Sequence, residues 1–146
     1  MGATDFDFLP GRWDITNHKL VDGEWQTFAA TSTAFAMLGG GGNHDHFHTA
    51  GYEGFSLRLY DPEADLWRIW WSSTARPGRL DPPVEGRFHE DGTGTFECDD
   101  PEDGQRLRFR WTDITGDAAR WEQFASRDGG ATWASNWVME LRRRGD

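Results

Sequence analysis

The stretch Arg106-Leu107-Arg108-Phe109-Arg110-Trp111 alternates a cation with an apolar side chain at every step. A helix, turning about 100° per residue, would scatter these arginines around its axis, whereas a strand gathers them on one face and Leu107, Phe109 and Trp111 on the other. The same period recurs along the chain. Trp67, Ile69 and Trp71 alternate with Arg68, Trp70 and Ser72, and Phe55, Leu57 and Leu59 alternate with Ser56, Arg58 and Tyr60. Trp13 and Ile15 alternate with Asp14 and Thr16, while Trp133, Ser135, Trp137, Met139 and Leu141 are set against Ala134, Asn136, Val138, Glu140 and Arg142. Turn dipeptides separate these runs: Asp22-Gly23, Asp61-Pro62, Asp91-Gly92, Asp103-Gly104, Gly116-Asp117 and Asp128-Gly129. The pattern predicts an all-β, antiparallel meander of about ten strands joined mostly by hairpins. One apolar face on nearly every strand predicts closure into a barrel, because closure removes exposed edges. Helix is expected only briefly, near Thr4 to Leu9. The glycines 39–42 are expected to turn the chain sharply, and Arg76 to Pro83, the longest irregular stretch, to form a rim or lid.

A chain of 146 residues and 16.6 kDa is expected to form one domain, residues 1–146, with a core that needs no staple. Nine tryptophans rule out disorder despite a mean hydropathy of −0.77. The formal net charge of −10 argues against nucleic acid and anionic membranes as partners. A lone cysteine, Cys98, excludes an internal disulfide, and the opening MGATDFDFLPGRW has neither the cationic nor the apolar segment of a secretory signal; a cytoplasmic location is expected.

Gly11-x-Trp13 at the start of the first strand looks like the Gly-x-Trp signature of lipocalins and their calycin relatives. Together with DFDFLPGRW, SLRLYDP (Ser56 to Pro62), LDPP (Leu80 to Pro83), ARWEQ (Ala119 to Gln123) and DGGATW followed by NWVM, the chain is similar to an uncharacterised bacterial family with a lipocalin-like barrel. That resemblance covers nearly the whole chain. It implies a ten-stranded calycin-like barrel with a ligand-sized interior and carries over no catalytic residue.

If the apolar face of each strand points inward, the interior holds Trp67, Trp71, Trp111, Trp121, Trp133 and Trp137 with Phe55 and Phe109. Such residues either fill a small barrel or wall a pocket for a flat, apolar ligand. By parity, Gln123, Ser135, Asn17 and Asp45 would be the polar groups that orient it. The opposite face would carry Arg58, Arg108, Glu122 and Asn136 as a solvated charge ladder. With the reverse parity, Glu122 and Arg108 would become the interior acid/base pair, so Asp45, Glu122 and Arg108 are the catalytic candidates. The ligand-binding candidates are Phe55, Trp71, Phe109, Trp111, Trp121, Gln123, Ser135 and Trp137.

His44, His46 and His48 alternate and would share one strand face, with Asp45 and Phe47 on the other. Gly40, His46-x-His48 and Glu53 resemble the first cupin motif, and Pro83 to His89 resembles the second with one extra residue. The resemblance implies Zn or Fe held by His46, His48, Glu53 and His89. Tyr60 and Thr93 depart from it, and the favoured reading of the histidines is as solvated side chains beside a glycine loop, with the metal site as the alternative. Ser126-x-Asp128-x-Gly130-x-Thr132-Trp133 fits the Asp-box, a hairpin device in single copy. Cys98 beside Asp99 and Asp100 has neighbours that raise a thiol pKa, which disfavours a nucleophile.

The expected function is binding of a small apolar or aromatic metabolite inside the barrel, as a carrier or as a cofactor-free biosynthetic isomerase or cyclase. The alternative is the cupin-like metal-dependent enzyme. No cofactor is expected under the first reading, and a homodimer is compatible with either.

Overall fold

The computed structural model describes residues 2–100 and 103–145. Ten strands follow one another: β1 (Gly11–Val21), β2 (Glu24–Met37), β3 (Gly42–Thr49), β4 (Tyr52–Asp61), β5 (Leu66–Ser73), β6 (Val84–Phe88), β7 (Gly94–Asp100), β8 (Gln105–Thr112), β9 (Ala118–Ser126) and β10 (Ala134–Arg143). Each pairs antiparallel with the next, and β1 pairs with β10, so the meander closes into a barrel as its alternation requires. The expected helix near Thr4 to Leu9 is a single 3₁₀ turn at Gly2–Thr4 followed by turns. The glycine run makes the expected reversal: Gly39 and Gly40 take φ of 64° and 98°, in a 3₁₀ turn at Leu38–Gly40.

One end of the barrel is plugged by the segment before β1. Phe6 packs edge-on against Trp67, Phe88 and Trp111 at centroid distances of 5.0, 5.0 and 6.0 Å and stacks on Phe96 at 5.8 Å. Such ring pairs contribute about 0.5–1.5 kcal/mol each beyond their burial. The Trp67 indole donates to Gly2 O at 2.8 Å and the Trp13 indole to Leu9 O at 2.8 Å, which ties the plug to β5 and β1. The Gly-x-Trp motif has a mechanical reason here. Arg143 lays its guanidinium 4.3 Å from the Trp13 ring centroid and donates from Nη1 to Pro10 O at 2.8 Å. A Cβ on Gly11, whose φ is 129°, would stand 2.5 Å from Arg143 Nη1.

The register sorts the residues by face and corrects the expectation for β4. Ser56 pairs with Trp71, Arg58 with Ile69 and Tyr60 with Trp67, so Gly54, Ser56, Arg58 and Tyr60 face inward with the β5 indoles. Phe55, Leu57 and Leu59 face out, and Phe55 is 40% exposed. Volume is the cause: a Cβ on Gly54 would lie 2.3 Å from two ring carbons of Trp71, so no larger side chain fits at position 54 beneath that indole. Arg58, expected in the outer ladder, is therefore buried inside.

Candidate functional site

The interior beyond the plug is walled by indoles held at right angles. Trp137 meets Trp121 at 5.6 Å and 89°, and Trp71 at 6.5 Å and 88°; Phe47 lies 6.1 Å from Trp71 and 6.3 Å from Trp137, and Phe109 5.0 Å from Trp121. Asn17, fully buried, accepts a hydrogen bond from the Trp137 indole at 3.0 Å and donates to Phe28 O at 3.3 Å, so this ring has one orientation. Between these rings lies a cavity of about 100 Å³, with Asp45, Ser56, Arg58, Trp111 and Gln123 in its wall. β6 is short, and the residues Asp81 and Pro82 of the expected rim loop complete the wall beside β5, where the Asp81 amide donates to Trp71 O at 2.7 Å.

A polar cluster stands on β3 and β4 within this apolar wall. Arg58 donates from Nη1 to Asn43 Oδ1 at 2.9 Å and from Nη2 to Asp45 Oδ2 at 3.3 Å. Asp45 also accepts from the Ser56 amide at 3.0 Å and from the Ser32 hydroxyl at 3.5 Å, so both oxygens of this largely buried carboxylate are engaged. The Nε of Arg58 and the Nε1 of Trp111 are buried with no partner. Each such unsatisfied donor costs about 1–3 kcal/mol. Toward the other end, Lys19 places its ammonium 3.9 Å from the Trp137 ring centroid and 5.2 Å from that of Tyr52, and burial lowers its pKa below the ordinary lysine value.

The candidates named from sequence separate accordingly. Trp71, Phe109, Trp111, Trp121, Gln123, Trp137 and Asp45 line the cavity. Phe55 faces outward for the reason given above. Ser135 is displaced by a bulge between Ser135 and Trp137: it pairs with Phe124, and Asn136 instead accepts a hydrogen bond from Gln123 Nε2 at 3.0 Å. Trp133 also leaves the interior, stacking under the Arg108 guanidinium at 4.0 Å on the outer wall. Arg108 and Glu122 belong to the outer ladder, where Arg108 pairs with Glu97 at 2.7 Å and Glu122 with Arg120 at 3.4 Å. Arg58, Asn43, Ser56 and Lys19 were missed. A lone Arg in an alternating run has the pattern of a solvated residue, and the only sequence signal to the contrary was the small residues Gly54 and Ser56 on its own face.

His44, His46 and His48 face outward, and Phe47 and Asp45 inward. His46 and His48 reach the two oxygens of Glu53 at 3.0 and 3.7 Å, all three half exposed. His89 is not with them: its Nε2 meets the Thr95 hydroxyl at 3.0 Å, between β6 and β7. Among the described residues no group of three or more His, Cys, Asp or Glu is arranged to hold a metal ion. The Asp-box closes its hairpin locally. The Ser126 hydroxyl meets Asp128 at 2.7 Å, the Thr132 amide donates to Asp128 at 2.8 Å, and hydrogen bonds from Thr132 and Ser126 hold the Asp128 carboxyl down at about 2. Burial, reinforced by Asp100 and Asp99, pushes the Cys98 thiol up to about 11. A larger concavity, about 630 Å³, is an open groove on the outer wall across β1, β2 and β10, rimmed by Asp14, His48, Glu140 and Arg142. Asp14 there pairs with Arg144 at 3.4 Å, and none of the residues with an unsatisfied buried group lines this groove.

No protein-family model matches the chain, and no curated protein matches it. Among solved structures, the S-type phycobiliprotein lyase CPES from Guillardia theta superposes with a TM-score of 0.68 at 11% identity, covering 100% of this chain and 94% of that one. The structure of EF1p2_mFAP2b bound to DFHBI covers 99% of this chain and 100% of that one at 11% identity, with a TM-score of 0.42. At 11% identity the likeness to the lyase is one of fold: the chain is a ten-stranded antiparallel closed barrel, consistent with a lipocalin-like fold.

Proposed function

We propose that the barrel interior binds a small, flat, largely apolar molecule between Trp71, Trp121 and Trp137. The observation that carries this reading is a cavity walled by perpendicular indoles that also contains a polar cluster with unsatisfied donors. A barrel built only to close would fill that space with aliphatic side chains and leave no donor unpaired. The cavity is smaller than the roughly 150 Å³ that accepts benzene, so an aromatic ring enters with a shift of a wall side chain such as Trp71. For a ligand of about nine heavy atoms the expected Kd is on the order of 0.1 mM, and larger ligands gain by extending past Lys19.

A titration with α-methylstyrene, followed by the indole N–H signals in ¹H–¹⁵N spectra, tests this. The Trp71, Trp121 and Trp137 signals are expected to move saturably, while Trp25 and Trp70 on the outer wall stay. Shifts confined to Trp25 and Trp70, or no shift, would overturn the reading. The finer form of the proposal is a cofactor-free isomerase or cyclase, with Asp45 as the carboxylate beside Arg58 that a bound molecule meets. Mass spectrometry of the metabolite that co-purifies with the wild type and with Asp45→Asn separates the two forms. A carrier retains one species in both, whereas an enzyme trades product for substrate in the variant. A cytoplasmic setting belongs to the same reading and is supported by the single, unpaired cysteine.

A further inference from the structure

We propose that Arg58 Nε and Trp111 Nε1 form a two-donor clamp for a neutral carbonyl oxygen on the ligand, at the plugged end of the cavity; this rests on the reading of the cavity as a ligand site. Among the described residues, four buried side-chain atoms lack a hydrogen-bond partner: Arg58 Nε, Arg110 Nε, Trp111 Nε1 and Ser135 Oγ. Arg58 and Trp111 line the cavity and the other two residues do not. The two are neighbours, with Arg58 Cζ 5.8 Å from the Trp111 ring centroid, and both are almost wholly buried at 4% and 3% exposure. Neither nitrogen is reached by a water-sized probe in this structure, so the side chains must shift to present their N–H groups to the cavity; these groups are pure donors, so what completes them there is an acceptor.

Charge selects the class of acceptor. The terminal nitrogens of Arg58 are already engaged by Asn43 and Asp45, and Asp45 matches the guanidinium charge at 3.3 Å. A carboxylate placed here would add an unmatched buried negative charge, whereas a ketone or quinone oxygen adds none. The ring that carries this oxygen would then extend between Phe109, Trp121 and Trp71. The ligand class is thus an aromatic or conjugated ketone, oriented with its oxygen toward the plug.

Acetophenone and α-methylstyrene have the same shape and differ in C=O against C=CH₂, so their comparison isolates the clamp. Acetophenone is expected to bind at least about tenfold more tightly, the ratio that one neutral and one charge-assisted hydrogen bond support, and benzoate more weakly than acetophenone. In ¹H–¹⁵N spectra of the wild-type protein acetophenone should move both the Trp111 indole N–H and the Arg58 Nε–H downfield, and α-methylstyrene neither. Trp111→Phe, which keeps an aromatic ring in place, should reduce the preference to about threefold. Equal binding of the two probes with both N–H signals unmoved would overturn the clamp and leave the cavity reading standing. Tighter binding of benzoate would overturn the neutral-acceptor class, and failure of both neutral probes to bind would overturn the cavity reading and the clamp together.

Discussion

Gly54→Ala asks whether β4 presents its small residues to the interior. The added Cβ would stand 2.3 Å from Trp71 Cη2 and Cζ2 and 3.0 Å from Ser72 O. Ordinary carbon contact is about 3.6 Å, so the indole must move by more than 1 Å, and it is a rigid ring packed against Phe47 and Trp137. Overpacking of this kind costs about 1–3 kcal/mol, and the overlap places this case in the upper half. Loss of glycine freedom in the unfolded chain offsets about 0.4–1 kcal/mol, for a net loss of roughly 2 kcal/mol. In a chain of this length that lowers Tm by about 4–8 °C. Calorimetry gives the stability, and the Trp71 indole N–H signal reports the displaced ring. The paired control is Phe55→Ala, which should cost less than about 1 kcal/mol because that side chain faces outward. A wild-type Tm for Gly54→Ala, together with a loss of about 3 kcal/mol or more for Phe55→Ala, would refute the register and every interior assignment built on it.

Arg58→Met leaves the largely buried Asp45 without its countercharge and should cost about 3 kcal/mol in urea unfolding, at the lower end for a broken buried pair because the Ser56 and Ser32 hydrogen bonds remain; Arg58→Met with Asp45→Leu should recover most of it. Because its hydrogen bonds from Thr132 and Ser126 hold the folded Asp128 carboxyl at about 2, below the ordinary carboxylate value, its contribution to the hairpin is complete above the unfolded pKa of about 3.9 and is lost as pH falls through 2. A carboxyl ¹³C titration of Asp128 with a midpoint near 2 is expected, and an Asp128 midpoint near 4 would remove the Asp-box from the account of stability. Alkylation of native Cys98 should stay slow at pH 8 and rise with a midpoint of about 11, against a midpoint of about 8.5 in denaturant, as burial of the thiol dictates.

The strands themselves were legible before any coordinates. Alternation is a property of neighbours along the chain: Arg106 to Trp111 can bury three apolar groups together only as a strand. Turn dipeptides delimit hairpins by their own backbone preferences, and the Asp-box hydrogen bonds lie between Ser126 and Trp133, within eight residues of sequence. Ten strands in an antiparallel closed meander follow from such local facts plus the need to leave no edge.

Which face of a strand is the inner one is not a local fact where both faces hold apolar groups. β4 offers Phe55, Leu57 and Leu59 against Gly54, Ser56, Arg58 and Tyr60, and hydrophobicity alone favours the first set. The register with β5 favours the second, because Trp71 already occupies the interior and leaves room beside it only for Gly54 and Ser56. The bulge at Asn136 likewise turns Ser135 away by one step of backbone that no composition announces. Both decisions are about volume and pairing between segments distant in sequence. They are also what brings Arg58, Asp45 and Trp111 together in one cavity, since a buried charge is tolerated only where partners from other strands arrive to meet it.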